Sequence, residues 1–160
     1  MNTAYLLIGG NLDDRNENLE KAATLINEQC GQIEKKSSLY ETAAWGKTDQ
    51  PAFLNQAICL FTPFSAKQLI RKLLKIEKSM GRIRTEKLDP RVIDIDILLF
   101  GDEIHSKRFL KIPHPELQNR RFALTPLSEI APTLIHPVFK KTILTLLDEC
   151  PDHLEVNKIS

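Results

Sequence analysis

The fold is decided by the stretch Arg91-Val92-Ile93-Asp94-Ile95-Asp96-Ile97-Leu98-Leu99-Phe100. It is rich in Ile, Val and Leu, which is typical of a buried strand, and two carboxylates stand in it two residues apart. Side chains alternate between the two faces of a strand. Asp94 and Asp96 are therefore expected on one face, and the isoleucines with Leu99 on the other, in a core. Two like charges in an apolar strand repel each other and lose solvation, so the pair predicts a bound cation.

Three arginines precede this strand: Arg82, Arg84 and Arg91. Carboxylates for Mg²⁺ next to arginines for phosphate are what phosphoryl transfer requires. Mg²⁺ takes one or two carboxylates together with phosphate oxygens and water, so Asp94 and Asp96 are candidate metal ligands. The polar loop 82–90 is interpreted as a lid over the substrates. The segment Gly9-Gly10-Asn11-Leu12 lacks the GK[ST] sequence of a Walker-type phosphate loop, so that mechanism is excluded for it.

The apolar pattern on either side predicts the order β-α-β-β-α-β, the split βαβ or ferredoxin-like arrangement of an α+β protein. An antiparallel sheet would carry both helices on one face and leave the other face for a site. The predicted elements are a strand Tyr5–Ile8 turning at Gly9-Gly10, a helix capped by Asp13 or Asp14, strands Ile33–Thr42 and Phe53–Thr62, a helix capped by Ser65, and the strand Val92–Phe100. The C-terminal third is predicted to elaborate this sandwich with a short strand at 103–104, short helices at 115–121, 124–131 and 142–148, and a loosely held tail from Asp152.

Composition bounds the function. The 160 residues are expected to form a single domain, and 22 Lys+Arg against 21 Asp+Glu give a net charge of +1. That balance gives no reason to expect nucleic acid or an anionic membrane as a partner. The three cysteines show no metal-binding spacing, and the N-terminal apolar run is too short for a signal or a membrane span. We therefore expect a cytoplasmic protein and a monomer.

A second group of residues is suited to a flat ligand. Asn55 is an amide in the middle of an apolar strand, where it needs hydrogen-bond partners. A heterocycle stacked between two aromatic residues and read by an amide would use Asn55 with Phe53, Phe122 and Trp45. Each aromatic residue taken alone is more often part of a core.

The motifs along the chain resemble those of the 6-hydroxymethyl-7,8-dihydropterin pyrophosphokinase family of folate biosynthesis. The most specific block resembles G-R-x-R followed by P-R-x-x-D-x-D-I-L. The resemblance extends in the same order over nearly the whole chain. It is carried by Gly81-Arg82-Ile83-Arg84, by Pro90 to Leu98, and by Ile8-Gly9-Gly10-Asn11-Leu12-Asp13-Asp14-Arg15, Ser38-Leu39-Tyr40-Glu41-Thr42, Pro113-His114-Pro115 and Pro126-Leu127-Ser128-Glu129-Ile130-Ala131-Pro132.

The resemblance implies a single pyrophosphokinase domain over 1–160, which transfers the pyrophosphoryl group of ATP to the pterin hydroxymethyl oxygen and releases AMP. It implies two Mg²⁺ ions on Asp94 and Asp96. The implied nucleotide and phosphate contacts are Glu77, Arg82, Arg84, Arg91, His114 and Arg120, with Arg82 and Arg84 on a catalytic loop. The implied pterin pocket consists of Phe53 and Phe122 on the two ring faces, Asn55 on the ring edge, and Thr42 and Trp45 lining it. Leu88 and Asp89 stand where the family often has an aromatic residue and Gly, which implies weaker loop closure.

Two other classes of function stay open on the residues alone. A ferredoxin-like module that binds a nucleotide to regulate a partner would need no turnover, and the aspartate pair argues against it. A Mg²⁺-dependent phosphodiesterase acting on RNA would need a basic stripe, which the near-neutral charge argues against.

Overall fold

The computed structural model describes residues 1–43, 51–81 and 92–159. It contains eight strands and four α-helices within those ranges. Their bounds are β1 Asn2–Gly10, α1 Arg15–Gln29, β2 Gln32–Lys36, β3 Tyr40–Thr42, β4 Phe53–Thr62, α2 Ala66–Ser79, β5 Asp94–Phe100, β6 His105–Lys107, β7 Leu110–Ile112, α3 Arg121–Ile130, α4 Ile143–Asp148 and β8 Val156–Lys158.

The main sheet is antiparallel, with the strand order β5-β1-β4-β3-β8 and with β2 also paired to β4. β1 lies in the middle, between β4 and β5. This order, with β8 added at one edge, is the ferredoxin-like arrangement, so the fold class predicted from the sequence is confirmed. The predicted helix caps are confirmed as well: Asp14 accepts a hydrogen bond from the Glu17 amide, and Ser65 forms a capping box with Gln68.

Both faces of the sheet are covered. The helix-side core lies between the sheet and helices α1 and α2, and includes Ile8, Ile26 and Leu73. The far-side core lies between the other face and helices α3 and α4, and includes Leu7 and Leu124. The expectation that this second face is open is therefore wrong, because the C-terminal third packs its apolar side chains onto it.

The predicted strand Ile33–Thr42 is divided into β2 and β3. Ser37 lies at the break, where its amide donates to the Ala57 carbonyl oxygen at 2.9 Å and its hydroxyl accepts from the Ala57 amide at 2.9 Å. Lys36 pairs with Ile58 and Tyr40 pairs with Asn55, so the β2–β3 side holds one extra residue there. A polar side chain that takes the place of a ladder contact produces this bulge.

A second irregularity corrects the expected position of Leu99. Tyr5 pairs with Leu99 and Leu6 pairs with Ile97, so Leu98 is an extra residue in β5. After this bulge the alternation is reversed: Leu99 lies in the far-side core, whereas Ile97 lies in the helix-side core.

The C-terminal third differs in detail from its prediction. The short strand expected at 103–104 lies instead at His105–Lys107, where it forms a hairpin with β7. The helix expected at 115–121 is a single 3₁₀ turn over Leu117–Asn119. The tail expected to be loose contains β8, which pairs with β3. Among the described residues, no helix is long and apolar enough to cross a membrane.

Candidate active site

The two aspartates lie at the start of β5, on the far side of the sheet. Asp94 and Asp96 are half-buried, whereas Ile93 and Ile95 are fully buried in the helix-side core. Asp96 pairs with Leu7, whose side chain belongs to the far-side core. The strand therefore places both carboxylates on one face, as the sequence predicts, close to the edge of the sheet.

Asp94, Gly9 and Asn55 form one row across three neighbouring strands. A Cβ atom on Gly9 would overlap the Oδ1 atom of Asn55 and would lie 2.9 Å from the carbonyl oxygen of Leu54. The Asn55 side chain, which is 6% exposed, therefore lies across the space that Gly9 leaves. Gly9 and Gly10 are part of β1 and not the predicted turn, and the absence of a side chain at Gly9 brings the amide of Asn55 next to the acidic strand end.

Thr42 and Phe53 form the next pair toward the strand ends, on β3 and β4. Phe53 is half-buried, and Thr42 is 4% exposed. In the part of the chain that the structure describes, the Thr42 hydroxyl is buried and has no hydrogen-bond partner. A buried hydroxyl in this condition costs free energy unless a ligand or water satisfies it, which fits a wall of a binding site.

Arg120 and Phe122 stand at the start of α3, the helix that packs over β4 on the far side. The Arg120 guanidinium carbon lies 5.6 Å from the centroid of the Phe122 ring. Phe122 is half-buried against the far-side core. The start of α3 thus presents an aromatic face and a cation together, on the same side of the sheet as Asn55 and Phe53.

His114 is attached directly to the acidic strand. Its amide donates to the carbonyl oxygen of Leu98 at 2.9 Å, and its Nδ1 accepts from the Glu116 amide at 3.1 Å. A neutral imidazole whose Nδ1 accepts carries its proton on Nε2. In the neutral form, His114 therefore has Nε2 as its ring N–H donor.

Glu77 acts on β5 from the helix-side face. It is 2% exposed on α2, and its carboxylate accepts a hydrogen bond of 2.6 Å from the amide of Ile95. Ile95 is the residue between the two aspartates, on the edge strand of the sheet. Glu77 therefore fixes the backbone that carries both carboxylates.

Two hydrogen-bond networks around the site were not predicted from the sequence. Asn11 donates to the Pro51 carbonyl oxygen at 3.1 Å, and Arg15 donates to that of Ala52 at 2.9 Å and pairs with Glu41 at 2.7 Å. These contacts join the start of the chain to the segment leading into β4. The sequence signal was the motif from Ile8 to Arg15, which carried the resemblance but suggested no role.

The second network joins α3 to β3. Glu129 on α3 accepts hydrogen bonds from the Tyr40 hydroxyl at 2.5 Å and from the Ser38 amide at 2.9 Å. Burial, followed by the contact with Glu129, raises the pKa of Tyr40 to about 12. Desolvation raises the pKa of Glu129, but the hydrogen bonds from Tyr40 and Ser38 outweigh it, so the net shift lowers that pKa. This network anchors the helix that carries Phe122.

The remaining predicted site residues lie outside the described residues: Trp45, Arg82, Arg84 and Arg91, as do Leu88 and Asp89. The structure therefore brings Asp94, Gly9 and Asn55 into one row, with Asp96 two residues further along the same strand face. It places Thr42, Phe53, Phe122 and Arg120 on the same side of the sheet.

The fold and these residues define a ferredoxin-like α+β domain with an acidic strand end in one row with an amide, and with aromatic residues and a cation on the same side of the sheet. Residues 5–132 match the model of the family described as 7,8-dihydro-6-hydroxymethylpterin-pyrophosphokinase (HPPK). The chain belongs to this family. Its reaction is the transfer of the pyrophosphoryl group of ATP to 6-hydroxymethyl-7,8-dihydropterin, in folate biosynthesis.

Individual relatives agree with this. A 2-amino-4-hydroxy-6-hydroxymethyldihydropteridine pyrophosphokinase of Aquifex aeolicus is 43% identical over 143 residues, covering 89% of either chain. The folic acid synthesis protein fol1 of Schizosaccharomyces pombe is 38% identical over 92% of this chain, which spans 20% of that longer protein. Among solved structures, an HPPK-DHPS in complex with substrates superposes with a TM-score of 0.75 at 18% identity, over 92% of this chain and 43% of that one. The superposition supports the fold.

Proposed function

We propose that Asp94 and Asp96 are the metal ligands of the pyrophosphoryl transfer and that the metal is Mg²⁺, with two ions bound. The observation that carries the proposal is the pair of half-buried carboxylates on one face of β5. Within the described ranges, no group of three or more His, Cys, Asp or Glu side chains is placed to hold a metal. Two carboxylates alone suit Mg²⁺, which completes its shell with phosphate oxygens and water, better than they suit Zn²⁺ or Ca²⁺.

When bound there, Mg²⁺ would supply neutralisation of the charge on the transferring phosphates. The chain itself supplies further positive charge and hydrogen-bond donors. Arg120 and His114 contact phosphates in the proposal, and so do Arg82, Arg84 and Arg91 from the segment before β5. Glu77 keeps the acidic strand end in place through its hydrogen bond to β5 and lies near the nucleotide.

The pterin is proposed to lie on the far side of the sheet, next to Asn55. Phe53 and Phe122 stack on its two faces, and Asn55 reads its polar edge. Thr42, whose hydroxyl lacks a partner among the described residues, lines the pocket together with Trp45. The location of Asn55 in the row of Asp94 and Gly9 supports a pterin close to the phosphates.

The proposed chemistry is an in-line attack of the pterin hydroxymethyl oxygen on the β-phosphorus of ATP. The bond between the β-phosphorus and the oxygen bridging to the α-phosphate breaks, and AMP leaves with that oxygen. The hydroxyl proton passes to Asp94 or Asp96 in this proposal. Positioning and charge neutralisation lower the barrier, in place of a covalent enzyme intermediate.

The test is ³¹P NMR of the protein with ATP, Mg²⁺ and 6-hydroxymethyl-7,8-dihydropterin. We expect AMP and a pterin-linked diphosphate, loss of turnover after removal of divalent cations with EDTA, and recovery when Mg²⁺ is restored. Asp94→Ala should lose several orders of magnitude in rate, whereas the matched control Asp102→Ala, in an exposed turn, should keep it. Full turnover in EDTA, or by Asp94→Ala, would exclude the metal site. ADP or free phosphate as the product would indicate another reaction.

We further propose that the chain acts as one pyrophosphokinase domain, as a monomer, in the cytoplasm. Both core clusters pack on the two faces of one sheet, which supports a single domain. Three buried free thiols, at Cys30, Cys59 and Cys150, fit a reducing compartment. Light scattering of the purified chain tests the monomer.

A further inference from the structure

Helix α3 does not cap its own N-terminus. Arg120 occupies the N-cap position in an extended conformation and makes no side-chain capping hydrogen bond. Helices usually place Ser, Thr, Asp or Asn there, because the first amides of a helix have no partner within it. In the proposed site this position is taken by a residue that contacts phosphate, and Phe122 follows two residues later.

The acceptor comes from the C-terminal segment instead. Asp152 accepts a hydrogen bond from the Arg121 amide at 3.2 Å through Oδ2, and from the Leu154 amide at 2.9 Å through Oδ1. The carboxylate of Asp152 thus links the start of α3 to the C-terminal segment that contains Asp152. Its negative charge is also favourable at a helix N-terminus.

The same segment continues into β8, which pairs with β3. Val156 lies opposite Thr42 and Lys158 opposite Tyr40, and the Ile159 amide donates to the Leu39 carbonyl oxygen at 2.9 Å. Residues 152–159 therefore join the strand that carries Thr42 to the helix that carries Phe122. The match to the family model ends at residue 132, so this segment lies beyond it.

We propose that Asp152 is a positioning residue of the pterin site, which fixes the start of α3 and through it the ring of Phe122. This rests on the proposed function, in which Phe122 stacks on the pterin. Asp152, which is distant in sequence, provides the capping acceptor because Arg120 occupies the N-cap position itself. Asp152 itself does not contact the substrates in this proposal.

The experiment compares Asp152→Ala and Asp152→Asn with Thr142→Ala in the full chain. Thr142 caps α4 by accepting a hydrogen bond from the Thr145 amide, and α4 contains no proposed site residue. Thr142→Ala therefore removes a similar helix cap at a distance from the proposed site. The readouts are the thermal midpoint and the Kd of 6-hydroxymethyl-7,8-dihydropterin, measured by fluorescence with Mg²⁺ and a non-hydrolysable ATP analogue. We expect Asp152→Ala to raise that Kd by about tenfold, since a helix cap is worth roughly that factor. Asp152→Asn keeps one acceptor oxygen, which can still take the Arg121 amide, and should restore part of the affinity, whereas Thr142→Ala should lower only the thermal midpoint.

A double-mutant cycle with Phe122→Ala separates positioning from general stability. If Asp152 acts through Phe122, adding Asp152→Ala to Phe122→Ala should leave the pterin Kd unchanged. Equal factors in both backgrounds, or an unchanged Kd in Asp152→Ala alone, would overturn the proposal for Asp152. A wild-type Kd for Phe122→Ala would instead contradict the proposed pterin pocket.

Discussion

Replacing Gly9 by alanine is expected to displace the amide of Asn55. The added Cβ atom would overlap the Asn55 Oδ1 atom and would lie 2.9 Å from the Leu54 carbonyl oxygen. The backbone there is held on both sides, since Gly9 pairs with Asp94 and with Asn55. The side chain of Asn55 must therefore leave its position.

The size of the effect follows from two terms. Forcing extra volume into a packed site costs about 1–3 kcal/mol of folding stability. Moving Asn55 away removes one or two hydrogen bonds to the pterin, each worth about 0.5–1.5 kcal/mol. The pterin Kd should therefore rise by roughly two- to 150-fold, whereas the nucleotide Kd should change little.

The assay is a fluorescence titration of the pterin in the presence of Mg²⁺ and a non-hydrolysable ATP analogue, together with thermal unfolding. Asn55→Ala provides the control background, because it removes the atom that the new methyl group meets first. Gly9→Ala should cost clearly less stability in that background than in the wild type. If Gly9→Ala left pterin affinity unchanged while Asn55→Ala weakened it, the reasoning about this row of residues would be refuted.

Four further predictions concern neighbouring groups. Glu77→Ala should lower the free energy of unfolding in urea by about 1–3 kcal/mol, because it leaves the buried amide of Ile95 without its acceptor, and Glu77→Gln should recover part of this loss. The lowered pKa of Glu129 adds stability at neutral pH that is lost as the pH falls through that pKa. Glu129→Gln should therefore show a shallower loss of stability between neutral and acidic pH, by less than about 1 kcal/mol. Burial raises the pKa of Tyr40 to about 12, so the stability that it contributes is complete below pH 10 and declines as the pH approaches 12, a decline that Tyr40→Phe should remove in alkaline unfolding curves. Asp96→Asn should require far more Mg²⁺ for half-maximal turnover, and an unchanged Mg²⁺ titration would contradict its role as a ligand.

The sequence pattern correctly predicted those features that depend only on residues close together in the chain. The face shared by Asp94 and Asp96 follows from their spacing alone, and the capping box of Ser65 follows from a residue three positions along. The predicted face of Leu99 was wrong because a single extra residue, Leu98, reverses the alternation of side chains. A bulge of this kind leaves no sign in an all-apolar run of sequence.

The parts that could not be predicted depend on contacts distant in sequence. Gly9 looked like a turn residue, and only the pairing of β1 with β4 shows that its missing side chain makes room for Asn55. Asp152 is polar and lies near the end of the chain, which suggested a loose tail, although it caps a helix that begins at Arg121. No pattern in the sequence around Asp152 or around Arg121 indicates that the two segments are in contact.

The central position of β1 has a consequence for how the chain reaches its native state during synthesis. Leu7 in β1 pairs with Ala57 on one side and with Asp96 on the other, so β1 is synthesised well before either of its partner strands. Pairings of such long sequence separation form slowly, and unpaired strand edges are prone to aggregation in the meantime. β8 joins the sheet last, with residues 156–158. The wall of the proposed pterin pocket that contains β3 is therefore complete only after residues 156–158 have emerged, more than one hundred residues after Thr42.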